Sequence, residues 1–224
     1  MFQTKKTVTT CAVVLGCLTL SSAAWAEGFE VGGRLGYGIP MGDAMKDSKL
    51  SDGISGSVPL TLDIGYRVMD PLFVGAYLGY GFGFLASDLQ DSCDAASADC
   101  SVSTFDIGAQ AQYHLAPGSG TDFWFGGGLG YESLSTSESG GGLTIDSSTS
   151  ALPQIMLQLG LDFGDAAMAF GPFLRFTHAT YSSSSFDCSG ANCGFFTGLD
   201  GDIPSDQQSS HQWLTIGARG TFVL

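Results

Sequence analysis

Between Leu72 and Phe84 the chain reads LFVGAYLGYGFGF. Leu72, Val74, Ala76, Leu78, Tyr80, Phe82 and Phe84 fall on one parity, while Gly75, Tyr77, Gly79, Gly81 and Gly83 share the other with Phe73. A period of two over this length describes a strand with one apolar face and one face of small or polar groups. The last residues repeat the pattern, with Leu214, Ile216, Ala218, Phe222 and Leu224 set against Thr215, Gly217, Arg219 and Thr221. The fold class is therefore all-β.

Working outward, eight such segments are predicted near residues 29–38, 57–69, 72–84, 102–115, 122–131, 151–163, 167–181 and 211–224. The connections after the second, fourth and sixth are tight, reading MDP, APGSG and GDA. Those after the first, third, fifth and seventh are long and polar. A meander with its long loops at one end and its turns at the other has the asymmetry of an outer-membrane barrel. The expected architecture is an eight-stranded antiparallel up-and-down transmembrane β-barrel with four long outer loops and three short periplasmic turns.

The N-terminus fits that placement. Lys5 and Lys6 precede an apolar stretch, and Ala24-Trp25-Ala26 closes it with a small-x-small site, so residues 1–26 read as a signal peptide and 27–224 as the barrel domain. The sequence VLGC ending at Cys17 loosely resembles a lipoprotein box, but the apolar core continues past it to Ala26. Without the leader, six of the eight basic residues remain beside 22 acidic ones, a formal charge of −16. Nucleic acid is excluded as a partner, since binding it relies on cationic side chains that displace counterions. Cys93 with Cys100, and Cys188 with Cys193, are close pairs that read as loop disulfides in an exported protein. No apolar run long enough for a transmembrane helix follows the leader.

Alternation alone leaves two architectures, because a lipocalin is also an eight-stranded up-and-down barrel with its apolar face turned inward. A water-facing wall is rich in charge, yet no predicted strand contains a lysine. The membrane barrel, with Leu, Val, Ile and Phe facing lipid, is the reading that fits. Parity then turns Arg34, Arg67, Arg175 and Arg219 inward with Glu30, Asp63, Asp106, Glu132 and Asp162, beside Gln110, Gln112, Gln154 and Gln158. An arginine on the lipid face near the midplane would cost about 2–4 kcal/mol, which accounts for the confinement. Eight strands leave a bore that side chains fill, so this set reads as a salt-bridged plug before it reads as a selectivity lining. Asp63 and Arg67, four residues apart on one face, are the expected neighbours. On the outward parity, Tyr37, Tyr80 and Tyr131, each within a repeated LGY, mark one aromatic girdle, and Tyr66, Tyr113 and Phe222 with Phe29, Phe123 and Phe163 mark the other.

At this point the chain resembles the small outer-membrane β-barrel family of the OmpA and OmpX type, with OmpW barrels a more distant likeness. The C-terminal GARGTFVL resembles that family's assembly signal, although the aromatic, Phe222, stands two places before the final Leu224. The resemblance implies a bacterial outer-membrane location, contact with lipid and lipopolysaccharide, and recognition by the outer-membrane assembly machinery. It leaves function open between a structural or surface-interaction role of the acidic, disulfide-tied loops and a narrow, porin-like channel for small solutes. No catalytic set, metal centre or cofactor is assigned. His211 with Ser209, Ser210 and Asp206 forms only a chance proximity in a serine-rich loop, and Asp200, Asp202 and Asp206 offer at most a calcium site.

Overall fold

The computed structural model describes residues 28–165, 167–190, 193 and 200–224. The leader and its cleavage site before Glu27 lie outside them. Among the described residues, eight long strands run in order: β1 (Phe29–Met45), β2 (Ile54–Met69), β3 (Leu72–Leu85), β4 (Asp99–His114), β5 (Thr121–Gly140), β6 (Leu143–Gly164), β7 (Met168–Gly190) and β8 (Ser210–Val223). Each is antiparallel to the next, and β8 closes on β1 from Glu30 opposite Val223 to Gly42 opposite His211. Short helices α1 (Leu50–Gly53) and α2 (Ser87–Ala95) occupy the first two outer connections.

The burial pattern settles which face is which. Leu35, Leu60, Leu129, Leu157 and Phe170 are each more than half exposed, whereas Arg34, Asp63, Gln110, Asp162 and Arg219 are buried. That is the inverse of a soluble barrel. A continuous exposed belt of large apolar side chains is a lipid-facing surface. Inside, bulky groups fit because glycines face them. Gly108 and Gly130 are cross-strand partners, and a Cβ on either would strike the Tyr77 hydroxyl.

Several elements differ from the sequence expectation at the outer end. Strands continue past the girdle tyrosines: β1 runs eight residues beyond Tyr37, β3 five beyond Tyr80 and β5 nine beyond Tyr131. The third outer excursion is made of strand, since beyond a register shift at Tyr131 β5 and β6 pair without interruption from Glu132 opposite Ala151 to Gly140 opposite Leu143, with Gly141 and Gly142 in the left-handed region at the turn. Serine and threonine on both faces hide the period of two, but cross-strand hydroxyl pairs support the ladder, such as Ser139 with Thr144 and Ser150 with Ser183. The barrel mouth is closed from above by an apolar cluster. Leu50 of α1 and Ile203 of the last connection drop onto Ile54, Val102, Leu134, Ala179 and Trp213.

Candidate functional site

The inward parity of the strands builds one polar column, and its layers can be followed from the turn end upward. Near the periplasmic turns, His114 Nδ1 lies 2.6 Å from Asp122 Oδ2, and Asp122 Oδ1 accepts the Ala116 N–H. Arg67 Nε donates to Glu30 Oε2 at 2.7 Å and its NH1 to the Asp70 carbonyl. This corrects the expected Arg67–Asp63 contact. Residues four apart on one strand are about 13 Å apart, so a side chain meets the neighbouring strand first.

Above that, Arg219 grips Asp162 through Nε at 2.9 Å and NH2 at 2.5 Å, and donates NH1 to Gln112. Its guanidinium carbon sits 3.7 Å from the Trp124 ring centre. In the middle, Arg34 donates to Asp63 and to Gln158, while Gln110 donates to the same Asp63 oxygen. Arg175 donates to Asp106 across the lumen, from β7 to β4, with the Tyr77 ring beneath it at 5.0 Å. Each of these three buried arginines therefore lies between a carboxylate and an aromatic face, the third ring being Phe173 at 5.8 Å from Arg34. Charge-assisted bonds and cation–π contacts both gain strength where water is excluded.

The uppermost layer contains no arginine. Glu132 Oε1 accepts from Tyr181 Oη, His211 Nε2 and Trp213 Nε1 at 3.0–3.1 Å, and Oε2 accepts from Gln154. Tyr181 and His211 stack at 3.9 Å between ring centres. Directly above begins the apolar closure of the mouth, which shares Tyr181 and Trp213 with this layer.

Six interior carboxylates thus meet six basic side chains one to one: Glu30 with Arg67, Asp63 with Arg34, Asp106 with Arg175, Asp162 with Arg219, Asp122 with His114, and Glu132 with His211. Sequence reasoning placed neither histidine in this set, nor Asp122. Their parity was the available signal, since Asp122 shares it with Trp124 and His211 with Trp213. Trp124, Tyr77, Tyr181, Phe73 and Met156 are fully buried and fill the bore around the charges. A pocket of about 30 Å³ beside Arg175 and Glu132, large enough for about two waters, interrupts the packing. At the turn end the bore opens into a vestibule of about 860 Å³ bordered by Tyr66, Arg67, Asp122, Asp162 and Leu224.

The outer features are placed as follows. Tyr37, Tyr80, Tyr66, Tyr113 and Phe222 are exposed on the outward face, and Tyr131 is half-buried there. Cys93 is bonded to Cys100, tying α2 to the start of β4, and Cys188 to Cys193 at the end of β7. Among the described residues, Asp200, Asp202 and Asp206 do not form a trio of converging oxygens. The His and acid group that does converge is His114, Asp122 and Asp162, where Arg219 already holds Asp162. His211 is buried against Glu132, turned away from the polar loop residues beside it in sequence.

No family model matches the sequence, and no curated protein matches it. Among solved structures, Neisserial surface protein A aligns with 88% of this chain and 97% of its own, at 13% identity and a TM-score of 0.57. The attachment invasion locus protein Ail of Yersinia pestis, solved with the heparin analogue sucrose octasulfate, aligns over 87% of this chain and 99% of its own at 14% identity and a TM-score of 0.46. OprG of Pseudomonas aeruginosa aligns over 89% and 97% at 13% identity, also at 0.46. The likeness to the neisserial protein is one of fold, the small outer-membrane barrel.

Proposed function

We propose that this chain is a non-enzymatic protein of the bacterial outer membrane whose barrel is a filled anchor and whose activity resides at its outer end. After export by a cleaved leader, it would be inserted by the outer-membrane assembly machinery and surrounded by lipid and lipopolysaccharide. Its acidic, disulfide-tied loops would meet ions, surfaces or neighbouring cells. The observation that carries this reading is the one-to-one pairing of interior carboxylates with basic side chains beneath an apolar mouth. Such an interior offers neither an arginine free of a carboxylate to select a solute nor an open outer entrance. The charge that remains is outside: thirteen acidic residues and two lysines lie in the outer connections and strand extensions. A cationic or neutral partner, with calcium a candidate at the loops, fits that surface better than an anionic one.

The alternative is a narrow channel, which the vestibule at the turn end favours. Planar-bilayer conductance of the refolded protein separates the two. The anchor reading expects no steady single-channel current; a steady, ion-selective current that depends on Arg175 or Arg219 would replace it with the channel. Fractionation with soluble periplasmic proteins would reject both.

A further inference from the structure

The outer face of the barrel changes character abruptly along β4 to β7. Its last apolar rows carry Phe105, Leu129 and Ile155, all exposed. Level with Phe105, and two outward positions above Leu129 on β5, Ser133, Ser150 and Ser183 lie opposite one another on the same face. The next row is Ser103, Ser135, Ser148 and Ser185, continuous across four strands, and the top row ends in the opposed pair Asp146 and Asp187. The upper two of these rows line a groove of about 600 Å³, within the range of small-ligand sites. Asp200 flanks it, accepting the Phe186 N–H at 2.6 Å on β7.

Three features of this wall point to one occupant. First, a water-facing strand surface is normally dominated by lysine and glutamate, yet on β4 to β7 the two lower rows carry no charge, the nearest being Asp202 opposite Ser183 at their edge. Second, the wall is continuous with the lipid-facing belt, so whatever covers it stands on the same bilayer. Third, its height is wrong for phospholipid. Rows two residues apart are about 6.7 Å apart along a strand, so with strands tilted by about 35–45° the wall rises roughly 10 Å along the bilayer normal from its first row to its third, whereas a phospholipid headgroup layer is only about 5–8 Å deep. Hydroxyls both donate and accept, and therefore match the hydroxyls of a sugar without fixing a charge.

We propose that the serine wall is a lateral binding surface for the neutral saccharide headgroups of glycolipids in the outer leaflet. The taller headgroup would reach the second row, where the hydroxyls repeat at the strand spacing, and the opposed Asp146 and Asp187 at the top would turn away sulfated or phosphorylated sugars. The inference rests on the outer-membrane placement proposed above but not on a role for the loop tips.

The test uses the mature protein in phosphatidylcholine nanodiscs containing one-tenth dihexosyl diacylglycerol, with the lipids retained on the protein counted by native mass spectrometry. Failure to enter the nanodisc would count against the membrane placement itself, and so is distinguishable from failure of this inference. The parent should retain the glycolipid at least about fivefold above its bulk ratio, the effect of one or two added hydrogen bonds. The variant Ser103→Val/Ser135→Val/Ser148→Val/Ser185→Val, whose valines suit exposed strand positions, should fall to the bulk ratio. The double variant Ser135→Val/Ser148→Val provides the same comparison if the quadruple one does not fold. Retention at the bulk ratio by the parent, equal enrichment in the variants, or equal enrichment of a sulfated glycolipid would overturn the proposal. So would soluble maltotetraose competing the glycolipid off at equal concentration, which would make free sugar the ligand.

Discussion

Replacing Arg219 by methionine is the sharpest probe of the interior. In the parent its guanidinium makes two bonds to Asp162, one to Gln112, and sits over the Trp124 ring at 3.7 Å from its centre, with side-chain exposures of 1% for Arg219 and 4% for Asp162. Methionine fills similar volume but leaves Asp162 with one side-chain donor, Trp124 Nε1 at 3.2 Å, and with Asp122 directly opposite on the neighbouring strand. Breaking a buried pair costs about 3–5 kcal/mol, and the lost cation–π contact adds about 0.5–2 kcal/mol. The folding constant should therefore fall by between several hundredfold and about a hundred thousandfold. Arg67 is the internal control. Its side chain is 18% exposed at the vestibule, though that of Glu30 is only 3% exposed, so water entering in place of the guanidinium eases the loss and Arg67→Met should cost about 1–2 kcal/mol less than Arg219→Met. The assay is urea unfolding from phospholipid vesicles, followed by emission of the two interior tryptophans, Trp124 and Trp213. The double variant Asp162→Asn/Arg219→Met should regain most of the loss, since removing a whole buried pair is far milder than stranding half of one. Arg219→Met within 1 kcal/mol of the parent, or Arg67→Met as costly as Arg219→Met, would refute the reasoning.

Other perturbations test separate parts of the molecule. In the turn after β6, the backbone N–H groups of Met168 and Ala167 hold the Asp165 carboxyl below the usual carboxylate range. Its contribution to the turn should be present above that usual range and lost as pH falls through the depressed value; a carboxyl-carbon titration with its midpoint at or above about 3.9 would reject this geometry. Cys93→Ser/Cys100→Ser should leave the heat-modifiable gel shift of the barrel intact while making residues 87–98 more sensitive to protease, and an unshifted digestion pattern would deny that the bond holds α2. Gly130→Val drives a side chain into the Tyr77 hydroxyl and should cost about 1–3 kcal/mol by urea unfolding. Adding Tyr77→Phe should recover part of that cost, and an unchanged or larger loss would show that the clash lies elsewhere.

The strand order and the lipid-facing parity were legible because they are properties of single strands. Leu72 to Phe84 announces both faces without reference to any partner, and the arginines reveal theirs by avoiding lipid. What was not legible depends on how strands are offset around the barrel. Arg67 finds Glu30 on β1 because register, not sequence distance, brings them together, and Arg175 reaches Asp106 three strands away across the lumen. Residues 132–150 read as loop because serine on both faces erases the apolar alternation, although the cross-strand pairing there is as regular as below. His211 opens the predicted last strand on the parity of Trp213, but its partner Glu132 stands on β5, so nothing within its own strand named the contact.

The placement of the pairs also bears on how the barrel closes. β8 contributes Arg219, His211 and Trp213, and their acidic partners Asp162 and Glu132 stand on β6 and β5. Until β8 docks, those two carboxylates face the bore without their basic partners, a costly arrangement once water is excluded. Docking of β8 therefore supplies, in one event, the ladder bonds to β1 and β7, the Arg219 and His211 side chains that bond Asp162 and Glu132, and the Trp213 side chain that supports the apolar closure of the mouth. Because these gains arrive together, a barrel lacking its last strand should be much less stable than the loss of one strand's backbone pairing alone would make it. The same coupling ties the anchor to the exterior: Ile203 and Leu50 can seat on Trp213 only in the closed barrel, so the outer connections acquire their fixed arrangement after the interior charges are paired.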